Sequence, residues 1–236
     1  MAQARRTLAE AQAHGYGVDI APIDACREAF EEVYRDGRWG FGSGHGSIPR
    51  ATVEYRNFLE EFLRANRVRR VLDYGCGDWQ IGRLVDWQEA TYCGVDIVPH
   101  VVERDRREYA KPGVEFIVTP DDPSDLPEAD LLVCKDVLQH IPNAEIQAFL
   151  DRVVPRFPIA LIINDAAVNP EELNAEIAAG EWRPVDIRKA PFEADAIVIK
   201  TLRMPRVWSR TWKMRGRFNG GTKPIMLLQR APTPLN

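Results

Sequence analysis

The sequence predicts an α/β protein: a doubly wound, mostly parallel seven-stranded sheet with an antiparallel C-terminal edge strand and an N-terminal helical appendage. Three observations carry this expectation. From Arg70 onward, short apolar runs alternate with helical stretches, as in strands joined by crossover helices. Near the C-terminus, Asn219, Gly220 and Gly221 form a turn between two strand-like stretches, which points to an antiparallel pair. The chain's 236 residues, 45% hydrophobic and 28% charged, suffice for one domain with its own core and exclude disorder and fibrous repeats.

Two helical stretches, near Ala4–His14 and Ile23–Arg35, open the chain, followed by the glycine-rich turn from Gly37 to Ser47. A stronger helix runs from about Pro49 to Ala65, where Val53, Tyr55, Phe58, Leu59, Phe62 and Leu63 recur at three- and four-residue spacings. Five strands are expected at Val71–Tyr74, Tyr92–Val95, Val114–Val118, Asp130–Cys134 and Ile159–Ile163. Crossover helices are expected at about Ile81–Trp87, Pro99–Tyr109 and Ala144–Val154, with right-handed connections. A further helix at Glu171–Ala179 precedes late strands at Arg183–Ile187, Ala196–Leu202, Arg206–Phe218 and Pro224–Leu228. No repeat or linker interrupts the chain, so residues 1–65 are read as a helical appendage or lid docked on a core of residues 66–236.

Several function classes drop out on composition. No apolar stretch is long enough to cross a bilayer and the N-terminus has no signal-peptide pattern, which predicts a soluble, cytoplasmic protein without a membrane partner. Cys26, Cys76, Cys93 and Cys134 form no C-x-x-C pair, and His14, His45, His100 and His140 are scattered, so no disulfide framework or metal site is expected. Charge is uneven. Beyond Asp195 there is no acidic residue and there are nine basic ones, leaving residues 1–199 with 22 basic against 35 acidic side chains. Such a basic end either steers an anionic ligand or is a solvated face beside an acidic body.

The chemistry concentrates where the first strand runs into a glycine turn: Val71-Leu72-Asp73-Tyr74-Gly75-Cys76-Gly77-Asp78-Trp79. A dinucleotide fingerprint would place a third glycine where Gln80 stands. Asp73, two residues before Gly75, would repel a pyrophosphate and attract an ammonium group. Asp96 ends the second strand, where a carboxylate can accept hydrogen bonds from both hydroxyls of a ribose. A ribose joined to an amino-acid ammonium describes S-adenosylmethionine.

At these residues the sequence resembles the class I, Rossmann-like methyltransferases that use that cofactor, well over about residues 70–165 and poorly in the flanks. The resemblance implies that Asp73 reaches the methionine end, that Gly75, Cys76 and Gly77 form the floor, and that Asp96 holds the ribose with Ile97 beside adenine. It further implies an acid near the adenine amino group, either Asp121 or Asp122, and a segment from Lys135 and Asp136 to Pro142 closing over the methionine. Trp79 departs from the family pattern, which usually has a glycine there.

Methyl transfer needs alignment above all, and a general base only where the acceptor must lose a proton. His140, just after the fourth strand, suits that role, or else caps the next helix or bonds a neighbouring loop. Asn164 and Asp165 at the end of strand five either contact substrate or cap the next segment. Trp208, Arg210 and Trp212 either bind an aromatic or anionic substrate or pack the sheet edge. The Trp39–Ser47 loop is a connector, a lid, or a cradle for an anion. The expected activity is methyl transfer to an oxygen or nitrogen of a small, possibly anionic molecule. RNA methylation through the basic C-terminal strip and a non-catalytic cofactor-binding module are the alternatives. Nucleic acid is disfavoured by the overall charge of −4, and a nicotinamide oxidoreductase by Asp73 and Gln80.

Overall fold

The computed structural model describes residues 23–40, 42–204 and 221–230. Among these residues the seven strands are β1 (Arg70–Tyr74), β2 (Thr91–Asp96), β3 (Val114–Val118), β4 (Leu131–Lys135), β5 (Ile159–Ile163), β6 (Ile197–Arg203) and β7 (Thr222–Gln229). They form one sheet in the order β3-β2-β1-β4-β5-β7-β6. The first five pair in parallel, and β7 runs antiparallel to both β5 and β6 at the C-terminal edge. The strand order reverses between β1 and β4, and in such sheets ligands bind outside the carboxyl ends at that switch point.

Four α-helices accompany the sheet in the described residues: α1 (Ile23–Arg35), α2 (Val53–Asn66), α3 (Pro99–Tyr109) and α4 (Asn143–Ala148), the last continued by irregular turns to Arg156. The central strands are apolar along their length because both faces are covered. Tyr55, Leu59 and Leu63 of α2 pack on Val71, Leu131 and Leu161 on one face. Cys26 and Phe30 of α1, with Ile146 and Phe149, pack with Leu72, Leu132 and Ile162 on the other. No helix among the described residues is long and apolar enough to cross a membrane.

Three expected elements do not form. The helix at 81–87 is only the 3₁₀ turn Gly82–Leu84, because Trp79 takes a left-handed conformation (φ 53°) and its ring fills the space beside Gly82. A Cβ on Gly82 would fall 2.0 Å from Trp79 Nε1. The helix at 171–179 shrinks to the turn Pro170–Glu172. Asn174 is left-handed there (φ 54°), and its amide bonds instead to the backbone of Asp186 and Ala190. The strand at 183–187 is not a strand. Its amides bond the turns after β4 and β5, Arg183 N–H to Gln139 O and Val185 N–H to Asp165 O. The expected helix at 4–14 and strand at 206–218 lie outside the described residues.

Trp79 explains how the turn tolerates a missing glycine. Its ring is buried against Tyr92, Tyr109 and Phe116, with centroids 5.1–5.5 Å apart. Packing of that extent outweighs the roughly 1–2 kcal/mol a left-handed non-glycine residue costs. Trp79→Ala should therefore lower unfolding free energy by about 3–5 kcal/mol in urea titration. Trp79→Gly should cost about 1 kcal/mol less than Trp79→Ala, because it removes the strain as well. An equal or greater loss in the glycine variant would contradict this balance.

Candidate functional site

The turn after β1 is defined by where its N–H groups go. Gly75 and Cys76 donate to the Val95 carbonyl at 2.7 and 3.1 Å. Gly77 donates to Asp96 Oδ2 at 2.9 Å, and Asp78 to Ser43 Oγ at 2.8 Å. No amide from Gly75 to Asp78 is left to cradle a phosphate, the opposite of a phosphate-binding glycine loop. Gly75 (φ 78°) and Gly77 (φ 60°) are required by close approach as well. A Cβ on either would fall 2.2 Å from a neighbour, Val137 Cγ2 for Gly75 and Ser43 Oγ for Gly77.

Acid lines this turn. Asp96 is buried and accepts from Gly77 and Val98 N–H groups, one on each oxygen, which leaves a further lone pair on each. Burial pushes its carboxyl up, against the opposing pull of those bonds. Asp73 accepts from Tyr92 Oη at 2.8 Å. Burial pushes Asp73 up to about 6, although the Tyr92 bond and the Lys135 charge oppose the rise.

Both carboxylates face a cavity of about 380 Å³ at the ends of β1, β2 and β4, a size suited to a small organic ligand. Gly75, Cys76, Gly77, Ile97, Asp121, Lys135, Asp136 and His140 also line it. Asp122 does not: its carboxylate caps the turn after β3 by accepting from Ser124 N–H at 2.9 Å. Asp121 is largely exposed on the rim, 3.6 Å from Arg27. Glu145, also on the cavity wall, has one buried oxygen with no partner.

The glycine-rich loop lies directly over the β1 turn. Ser43 Oγ meets Tyr34 Oη and Asp78 Oδ1, each at 2.8 Å, while its N–H reaches Asp78 Oδ2 at 3.2 Å. Trp39 packs against Phe30, Tyr34 and His140. Lys135 Nζ holds the Gly46 carbonyl at 3.1 Å.

At the ends of β4, β5 and β7 sits a buried ionic cluster. Asp136 (φ 60°) is paired with Lys135 and with Lys223, the latter at 2.5 Å, and Lys223 also reaches Asp165 at 2.6 Å. Burial alone would push the Asp136 carboxyl up; the two ammonium groups overcome this and hold it at about 2. Asp165 accepts from Trp182 Nε1 at 3.1 Å. Asn164 is fully buried with both amide atoms unpartnered, and it is not on the cavity wall. His140 Nδ1 lies 2.8 Å from the Glu181 carbonyl, and burial pulls the ring's pKa down. Trp208, Arg210 and Trp212 lie outside the described residues.

Sequence reasoning missed Ser43, Asp78, Arg183 and Lys223. Each acts across 35 to 87 residues of chain, so spacing carries no signal for them. The one legible hint was Asp78 beside the glycines. Ser43→Ala should cost about 1–3 kcal/mol in urea unfolding, because it leaves buried groups of Asp78 short of partners. It should also speed amide exchange across 37–47. Stability and exchange both unchanged would show that the bond does not hold the loop.

Residues 49–155 match a family profile described as a methyltransferase domain. No curated protein matches the sequence. Among solved structures, a 1,6-didemethyltoxoflavin-N1-methyltransferase from Burkholderia thailandensis with 1,6-didemethyltoxoflavin and S-adenosylhomocysteine bound is similar at TM-score 0.59 and 19% identity, over 89% of this chain and 91% of that one. A magnesium protoporphyrin IX methyltransferase from Synechocystis with S-adenosylhomocysteine bound gives 0.57 and 18%, over 87% and 98%. A methyltransferase from Anabaena variabilis, titled as dependent on S-adenosylmethionine, gives 0.58 and 13%, over 90% and 96%. The match at residues 49–155 and this sheet together identify a methyltransferase domain of Rossmann-like fold within the chain.

Proposed function

We propose that this chain transfers a methyl group from S-adenosylmethionine to an oxygen or nitrogen of a small-molecule acceptor. The observation that carries the reading is the turn after β1, whose four N–H groups are engaged by protein acceptors while Asp73 and Asp96 line the cavity. That chemistry disfavours a diphosphate and suits a ligand with ribose hydroxyls and an ammonium group. Asp96 would accept from the ribose and Asp73 would face the ammonium. Gly75, Cys76 and Gly77 give the floor, Ile97 lies at the adenine, and Asp121 is the acid on its rim. Lys135 and Asp136 bound the methionine end.

The bound cofactor supplies a methyl group on a positively charged sulfur, activated for in-line displacement. The chain's part is alignment and exclusion of water. Ser43 and Trp39 line the cavity from the loop, together with Lys135, Asp136, Val137 and His140 from the turn after β4. His140 takes the proton of a hydroxyl or ammonium acceptor. Its depressed pKa leaves it uncharged near neutrality, as a base must be. A cavity of about 380 Å³ favours a small acceptor over a polymer, and the two neighbours named for their acceptors act on toxoflavin- and porphyrin-type molecules. The nine basic and no acidic residues after Asp195 favour an anionic one.

Calorimetric titration tests the cofactor reading. S-adenosylhomocysteine should bind in the micromolar class and NAD not at all. Asp96→Ala should weaken the former by at least about tenfold, the loss of roughly one charge-assisted hydrogen bond. Binding of NAD, or unchanged affinity in the variant, would sink the assignment. The pH dependence has a definite sign. Asp73 is protonated below about pH 6, and a protonated carboxyl attracts no ammonium, so affinity should fall as pH drops through 6 and stay level in Asp73→Asn. For His140, transfer to an acceptor panel should lose rate on the acid side, with a midpoint below about 6.5. His140→Gln should abolish that limb; near-normal turnover across pH would retire the base.

A further inference from the structure

The irregular stretch after β5 lies outside the matched methyltransferase region and was expected to form a helix and a strand. It does neither, and its polar groups converge on the turn after β4 instead. Arg183, buried, donates from both terminal nitrogens and from Nε. Its partners are the carbonyls of Leu138, Ile141 and Ala175 and Asn143 Oδ1. Its own N–H bonds the Gln139 carbonyl at 3.1 Å, and Gly180 N–H bonds the His140 carbonyl at 2.9 Å. His140 is thus bracketed on both sides in sequence by groups this segment holds.

Two separate contacts then dictate which ring nitrogen carries the proton. The Glu181 carbonyl, 2.8 Å from Nδ1, can only accept, so Nδ1 must carry hydrogen. On the other side, Asp165 N–H donates to Gln139 Oε1 at 2.8 Å, which fixes the amide's orientation. The Gln139 NH₂ group must then face His140 Nε2, at 3.4 Å, and it can only donate. Both contacts select the same neutral tautomer.

We propose that Gln139 and Arg183 are positioning residues: together with the Glu181 carbonyl they hold His140, on the cavity wall, as the Nδ1–H tautomer and leave its Nε2 lone pair only weakly occupied. The inference rests on the base reading above for its purpose, but not for its test. A 3.4 Å contact is weak enough for an acceptor's O–H or N–H to displace. Protonating Nε2 would set its N–H against the Gln139 NH₂, which disfavours the cation. The charged groups around the ring are Asp136 and Asp165, which favour the cation, and Lys223, which opposes it; Trp39 covers it from the loop above.

The test is ¹H–¹⁵N correlation of the imidazole nitrogens in the full chain, with His140 assigned by its loss in His140→Gln. At neutral pH, Nδ1 should show the shift of a protonated ring nitrogen and Nε2 that of a bare one. Gln139→Glu replaces the facing donor with an acceptor, so the midpoint for charging the ring should rise by more than about one pH unit. Arg183→Met should let both tautomers coexist. Should that chain fail to fold, Arg183→Lys, which keeps the charge but not the fork, should show the same mixture to a lesser degree. An Nε2–H tautomer in the native chain, or a Gln139→Glu midpoint that does not move, would overturn the proposal. The pH profile of methyl transfer tests the base reading separately: an unchanged profile in His140→Gln would remove the base and leave the tautomer result standing.

Discussion

The bond from Gly77 N–H to Asp96 is the constraint from which the rest of the site follows. It joins the end of β2 to the turn after β1, and with the two amides given to Val95 and that of Asp78 given to Ser43 it leaves that turn no donor for a phosphate. A carboxylate in this place converts what could be a positive nest into a surface that accepts hydrogen bonds and favours positive charge. Burial pushes Asp96 up, and the Val98, Gly77 and Ile97 N–H groups oppose it. The Gly77 N–H that opposes this rise is therefore also one denied to an anionic ligand, so one contact both builds and selects.

Legibility in the sequence tracked the range of the interaction. The parallel strands were visible because their apolar runs are local, and Asp73, Gly75, Gly77 and Asp96 because strand ends confine them to neighbouring positions. The ionic cluster was not foreseen. Lys135 and Asp136 were named through the resemblance and Asp165 from its place at the end of a strand, none of them as an ion pair, and Lys223 pairs with Asp136 across 87 residues, which no period records. Asp121 and Asp122 could not be separated because adjacent residues share every spacing argument; the cap on Ser124 separates them. Stretches 81–87, 171–179 and 183–187 were misread for one reason. In each, a side chain supplies backbone contacts or space-filling that regular structure would otherwise provide: the Trp79 ring beside Gly82, the Asn174 amide, and the turns that take the 183–187 amides.

The turn after β4 gives a second view of the same physics. Asp136 is left-handed without being glycine, a conformation that brings Val137 against Gly75. Strain of that order persists only where surroundings over-determine it. Here Lys135 and Lys223 grip the side chain, Asp136 N–H bonds Ile163 O, and Arg183 holds the carbonyls that follow. Lys135 alone connects three parts of the site, reaching Asp136, the Gly46 carbonyl of the covering loop and the face of Tyr55. Charges this deep favour stability less than an apolar packing would, since desolvation offsets most of their attraction. What they provide is a fixed arrangement: the end of each neighbouring strand is tied to the next, and a small error in one would expose an unpaired charge in another.

The covering loop and the cavity beneath it must then be understood together. Ser43 sits over Gly77 at the place where a side chain on that glycine would clash, so loop and turn are built to touch. The loop is held there by the bonds of Ser43 to Asp78 and Tyr34 and of Lys135 to the Gly46 carbonyl. Those bonds are few, polar and concentrated at the loop, whereas the sheet behind them is held by continuous apolar packing. Opening the loop therefore disrupts far less than opening the core. Division of the structure into a rigid acid-lined floor and a cover held by separable hydrogen bonds is what a transfer reaction needs, since it must exclude water during alignment and still release its product.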